Sequence, residues 1–140
     1  MKDKLNPFHL AIPVCNLEES VFYYGDILGL AKGRTSNKWA DFDFFCHQLG
    51  CHVSDIINEQ ITNAVDGEEV PVPHFGVVLS IEEFEEFLLQ INDKNIDFII
   101  KPTIRFKGEI GEQRTMFFKD PSGNAIEIKA FKDMSNLFSS

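Results

Sequence analysis

No run of apolar residues in this chain approaches the roughly 18 needed to cross a bilayer, and the opening Met1–Pro7 lacks the apolar core of a secretory signal. Neither a membrane span nor secretion is expected, and the chain reads as cytoplasmic. Cysteine is scarce. Cys15, Cys46 and Cys51 are odd in number and lack metal-knuckle spacing, so they read as reduced thiols rather than as a disulfide framework. Basic residues are also few, with 13 Lys and Arg against 22 Asp and Glu giving a formal charge of −9. A chain of that sign repels phosphate backbones, and no cluster of Lys or Arg offsets it, so nucleic acid is not an expected partner. The acidity is only a weak pointer to a cationic ligand, because an acidic surface also serves solubility.

What is present is a core. Hydrophobic residues make up 44% of 140 positions and fourteen are Phe, which suits one globular domain over 1–140. Phe8-His-Leu-Ala-Ile-Pro-Val14 alternates like a strand, and Asn16 with Glu19 offers an N-cap with a carboxylate three residues on. A helix is expected next, with Leu17, Val21, Tyr24 and Leu28 on one stripe and Gly29 as its left-handed terminator. Strand-like segments follow near 31–36, 39–45 and 48–54.

The second half repeats that order. His74-Phe-Gly-Val-Val-Leu79 reads as a strand, Ser80 and Glu83 as a capping box, and Ile81, Phe84, Leu88 and Ile91 as a helical stripe. Strands near 97–106, 113–119 and 125–131 complete it. His9 and His74 lie 65 positions apart, and the caps Asn16 and Ser80 lie 64 apart, which marks an internal duplication. The expected architecture is α+β, two βαβββ modules over about 6–54 and 74–131, with 55–73 as a polar linker or long loop containing Asp66-Gly67. Asp120-Pro-Ser-Gly-Asn124 reads as a turn, with Asp120 shaping it.

Strand alternation points to the chemistry. Phe8, Leu10 and Ile12 share one face, leaving His9, Ala11 and Pro13 on the other. Likewise His74, Gly76 and Val78 oppose Phe75, Val77 and Leu79, and Glu127 and Lys129 oppose Ile126 and Ile128. If the bulky faces pack on the helices, the others line an open polar cup. Two imidazoles and a carboxylate there form a set suited to one divalent metal ion, Fe2+, Mn2+, Zn2+ or Ni2+. The bland alternative is a solvated sheet face with no metal. His52 alternates the same way in its strand, with Gln48 and Gly50, and is the candidate fourth ligand, hydrogen-bond donor beside the metal, or general base. His47 falls at a turn and reads as a surface residue. Arg105, Lys107, Gln113 and Arg114 flank a loop with Gly108 and Gly111 and suit either an anionic substrate or plain solvation.

The openings Phe8–Val14 and His74–Val77, the segments Phe22-Tyr-Tyr24 and Leu28-Gly-Leu30, and the closing Phe118–Glu127 together resemble the vicinal-oxygen-chelate superfamily over about Asn6 to Lys132. That superfamily includes glyoxalase I, bleomycin- and fosfomycin-resistance proteins and extradiol ring-cleaving dioxygenases. The resemblance implies two modules whose curved mixed sheets enclose a metal cup, with His9, His74 and Glu127 as metal ligands. It also implies a small-molecule substrate chelated through neighbouring oxygens. The first-module ligand that is Glu in many glyoxalase I enzymes falls at His52 or Gln48, which sets dioxygenase-type chemistry slightly ahead of lyase chemistry, whereas His52 acting as a ligand or base would bring isomerase, epimerase or lyase chemistry forward. The alternative is a non-catalytic drug-binding protein of the bleomycin-resistance kind. Related chains often pair or exchange modules, so a homodimer is expected.

Overall fold

The computed structural model describes residues 5–56, 61–65 and 67–139. Its elements are β1 (His9–Val14), α1 (Leu17–Val21), β2 (Lys32–Thr35), β3 (Trp39–Phe44), β4 (His47–Val53), β5 (Ile61–Val65), β6 (Glu68–Val72), β7 (His74–Leu79), α2 (Ile81–Ile91), β8 (Asp97–Arg105), β9 (Gln113–Lys119) and β10 (Ala125–Phe131). Two compact units divide the chain, Met1–Asn58 and Glu59–Ser140.

Each unit holds one mixed four-stranded sheet, in the order β1-β4-β3-β2 in the first and β7-β10-β9-β8 in the second. In both, the opening strand runs parallel to the last strand of its module, and the remaining pairs are antiparallel. Parallel pairing requires a crossover, and α1 and α2 supply it. The two orders match element for element, as the duplicated pattern predicts.

Asn16 caps α1 by accepting from the Glu19 backbone N–H at 2.9 Å, and Ser80 and Glu83 form a complete capping box on α2. Past Val21 the first helix widens to a π-helical turn over Phe22–Ile27. Leu28 N–H then bonds the Tyr23 carbonyl at 2.9 Å, and Gly29 leaves the helix at φ +76. The stripe expected from helical spacing still delivers Tyr24 and Leu28 to the core. On the helix side of the first sheet Tyr24 meets Phe42 at 5.7 Å between ring centroids, and on the second sheet Phe87 stacks on Phe118 at 6.5 Å. These apolar faces hold each unit together through buried area.

The stretch 55–73, expected as a linker, is in part ordered structure. Ile61–Val65 pairs with Glu68–Val72 as an antiparallel hairpin in which Val65 opposes Glu68, and Gly67 turns at φ +77. Residues 57–60 and Asp66 lie outside the described residues. Polar composition hid the pairing, but an Asp-Gly step is also a usual hairpin signal. Val70 packs with Ile100 and Phe117, which ties the hairpin to the second sheet.

Asp120 shapes its turn as expected. Buried at the β9–β10 corner, its Oδ1 accepts from Ser122 N at 2.9 Å and Asn124 N at 2.8 Å, while Oδ2 accepts from Asn124 Nδ2 at 2.9 Å. His47 is not simply a surface residue. It opens β4, half-buried, and its Nδ1 accepts the Phe8 backbone N–H at 2.7 Å.

Candidate metal centre

Register assigns the faces. In the second sheet Gly76 stands beside Glu127, and Glu127 beside Phe117; one row further, Val78, Lys129 and Thr115 align. Paired residues point the same way, so His74, Gly76, Glu127, Phe117, Lys129, Thr115 and Gln113 share the face turned away from α2. Ile126, Ile128 and Phe118 take the helix side and are fully buried.

His74 and Glu127 meet on this face, 3.5 Å from Nε2 to Oε1, with side chains 30% and 14% accessible. Their outer atoms are fixed by neighbours. His74 Nδ1 lies 2.7 Å from the Pro71 carbonyl, which can only accept, so Nδ1 carries the hydrogen and the neutral ring presents a lone pair at Nε2. Phe117 abuts the imidazole edge-on at 4.9 Å. Thr115 donates its hydroxyl to Glu127 Oε2 at 2.6 Å, leaving Oε1 toward the histidine. Gly76 makes the approach possible, because a Cβ there would lie 1.5 Å from the Glu127 carbonyl oxygen. A cavity of about 260 Å³ opens over the pair, lined by His74, Gly76, Glu127, Lys129 and three β7 neighbours.

The electrostatics follow from this contact. The His74 imidazole is held above its ordinary value chiefly by Glu127; partial burial opposes this and the Pro71 carbonyl adds to it. Burial pushes the Glu127 carboxyl up, but the His74 and Thr115 contacts and the Lys129 charge together bring it below its ordinary value. With His74 protonated, the pair at 3.5 Å is an ionic contact more than a tight hydrogen bond.

The donor set fits a divalent metal. Two ligand atoms about 2.1 Å from one ion lie about 3.0–3.4 Å apart at tetrahedral or octahedral angles, and Nε2 and Oε1 already stand at 3.5 Å. A carbonyl on the far imidazole nitrogen and a hydroxyl on the second carboxylate oxygen are the supports that orient metal ligands. Among the described residues no three His, Cys, Asp or Glu side chains gather as a metal-holding group. The second unit therefore presents a two-residue half-site.

The first unit carries His9 on its corresponding face. His9 stands beside Gln48, Ala11 beside Gly50, and Pro13 beside His52; across β4, Asp43, Asp41 and Trp39 join those rows. His9, like His74, is the first residue of its sheet's opening strand. The position matching Glu127 is then Gly50, one row from both Gln48 and His52, so neither expected fourth-ligand candidate occupies it. A Cβ at Gly50 would lie 3.2 Å from Asp41 Oδ1 and 3.3 Å from His52 Nε2. Asp41, not singled out by sequence, accepts from Gln48 Nε2 at 3.2 Å, and His52 is exposed and stacked near Trp39 at 6.4 Å. The signal that would have found Asp41 is alternation within 39–44.

The expected anion group also divides. Arg114 turns to the helix side and pairs with Glu85 of α2, while Arg105 and Gln113 share a row on the helix-free face.

Comparison with known proteins bears on the fold. A glyoxalase/bleomycin resistance/dioxygenase protein from Alicyclobacillus acidocaldarius is 30% identical, with TM-score 0.83 over 99% of this chain and 100% of that one. An integron cassette protein from the Halifax Harbour sewage-outfall metagenome (21% identity, TM-score 0.66, 90% and 98% covered) shares the fold. So does a fosfomycin resistance protein of Listeria monocytogenes (18% identity, TM-score 0.63, 93% and 94% covered). The family model of the Glyoxalase/Bleomycin resistance protein/Dioxygenase superfamily matches residues 6–128, and the chain belongs to that superfamily.

Proposed function

We propose that the protein is a divalent-metal-dependent enzyme acting on a small molecule through two neighbouring oxygens, with His9, His74 and Glu127 as the metal ligands. The observation that carries this reading is the His74–Glu127 pair, whose outer atoms are bound by Pro71 and Thr115 and whose inner atoms stand at 3.5 Å. His9 enters on its equivalent strand position, and joint action of the two units is part of the proposal.

A bound ion of this kind supplies Lewis-acid polarisation of substrate oxygens or a site for dioxygen activation. The chain's own residues do the rest. Pro71 keeps the His74 lone pair at Nε2, Thr115 holds one carboxylate oxygen still, and Lys129 adds positive charge beside Glu127. His52, exposed beside Gly50, would take a substrate proton as a general base. Because Gly50 offers no carboxylate, three protein ligands leave more than one position open, which favours dioxygenase-type over glyoxalase-type lyase or isomerase chemistry.

A second reading is non-catalytic sequestration of a cationic drug, which the aspartates Asp41 and Asp43 on the first unit's helix-free face would suit. Metal analysis after purification, followed by oxygen uptake with catechols on anaerobically Fe(II)-loaded protein, separates the two. Stoichiometric metal and uptake are expected, and absence of any metal affinity would favour the binder. No helix among the described residues is long and apolar enough to cross a membrane, and a cytoplasmic homodimer is part of the proposal. Light scattering at micromolar concentration tests the dimer.

A further inference from the structure

Arg105 ends β8 on the helix-free face, in one row with Gln113 and Phe131. It is only 7% exposed, and its Nη2 is the one buried side-chain nitrogen or oxygen among the described residues without a hydrogen-bond partner. Neither ion pair found among those residues includes it, since Glu127 faces His74 and Glu85 faces Arg114. Glu112, beside Gln113, is engaged elsewhere by the Gly108 N–H at 2.9 Å. A guanidinium does not shed its proton, so Arg105 cannot relieve burial by becoming neutral as a lysine can. A permanent buried cation with an orphaned donor is a cost that calls for a role. The next residue, Phe106, sits at φ +55, a conformation uncommon for an aromatic side chain, so a second local cost falls at the same corner.

We propose that Arg105 recognises an oxyanion of the substrate, pairing with a carboxylate, phosphate or phosphonate group carried at the end remote from the metal. This deepens the reading above and depends on it only for the orientation of the substrate. The Arg105 row lies two rows beyond that of Glu127, about 13 Å along the strands, and Lys129 and Thr115 occupy the row between. The substrate is therefore elongated, chelated by neighbouring oxygens at one end and anionic at the other. The planar fork of Arg105 offers paired N–H donors that match such a group. Arg114, one residue along from this row and so on the opposite face, takes no part.

The test uses full-length, chelator-treated protein, so that metal binding does not enter. Inorganic phosphate and malonate are titrated separately while the Arg105 Nε–H resonance is followed by NMR, and thermal midpoints are read with and without phosphate. The expected result is a saturable shift of the Arg105 signal and a phosphate-dependent rise in the midpoint of the wild-type protein. In Arg105→Met that rise should vanish and phosphate affinity should fall at least tenfold, while the fold persists and metal affinity is unchanged. Arg114→Met should respond to phosphate as the wild type does. No shift at Arg105 up to 50 mM of either anion, or equal stabilisation of wild type and Arg105→Met, would overturn the assignment. Should Arg105→Met fail to fold, the wild-type titration decides alone. Loss of metal binding in wild type would sink the metal reading and leave the anion site standing, and the reverse outcome would do the opposite.

Discussion

Gly50 occupies in the first sheet the position that Glu127 occupies in the second: each is on the strand parallel to its module's opening strand, one row beyond the leading histidine. The two modules match in their leading imidazoles and differ at this position, where only the second carries a carboxylate.

Replacing His74 or Glu127 should remove metal binding. His74→Ala and Glu127→Gln are expected to lower affinity at least ~100-fold and Thr115→Val about 10-fold, the usual range for a ligand's supporting partner. His74 and Glu127 are partly exposed and Thr115→Val nearly keeps the buried volume, so circular dichroism should be unchanged. Calorimetric titration with Zn(II) or Mn(II) measures the loss, and Thr115→Val binding at full strength would remove the supporting role. His9→Ala should match His74→Ala if it is the third ligand.

The two glycines of the polar faces should respond unequally to a methyl group. Gly76→Ala drives Cβ into the Glu127 backbone carbonyl at 1.5 Å, so the strand pair must move, at a cost of about 3 kcal/mol or more by analogy with overpacked cores. Gly50→Ala meets only side-chain ends at 3.2–3.3 Å and should cost less than about 1 kcal/mol. Urea unfolding of both variants decides, and equal losses would contradict the difference in approach.

The metal-free protein should show a pH window set by the His74–Glu127 pair. His74 is raised from 6.5, so its contribution is complete below 6.5 and fades as pH rises through the higher folded value. Glu127 is lowered from 4.5, so its contribution is complete above 4.5 and fades as pH falls through the lower folded value. Both are present in full between about 4.5 and 6.5. An NMR titration of His74 should give a midpoint above 6.5 that drops in Glu127→Gln, and an unchanged midpoint in that variant would show that the carboxylate is not the cause.

Asp120 should matter to stability and not to chemistry. Its carboxylate accepts from Ser122 N, Asn124 N and Asn124 Nδ2 in a buried turn, so Asp120→Ala removes that acceptor from all three donors, costing about 2–4 kcal/mol. Metal affinity should be retained below the lowered melting temperature, and its loss in the folded protein would point to a wider role.

The elements themselves were legible along the chain. Capping residues at Asn16 and Ser80, period-two alternation around His9, His74 and Glu127, and the matched spacing of the halves depend on neighbours a few residues away, and they predicted strands, helices and open faces. The hairpin in 55–73 was masked because β5 is exposed throughout and β6 buries only Val70 and Pro71, so composition does not separate strand from loop there. Pairing partners were beyond local pattern. Which of Gln48, Gly50 and His52 lies opposite Ala11 depends on register, and a one-residue slip reverses a strand's faces. The same holds for the loop cations: Arg105 and Arg114 look alike in sequence, yet odd and even positions on paired strands sent one to an ion pair with Glu85 and left the other buried and unpaired. Sequence determined which residues could meet on a face. Only tertiary structure decided that the Pro71 carbonyl and the Thr115 hydroxyl would turn His74 and Glu127 toward each other, because those contacts are made across strands and through the hairpin.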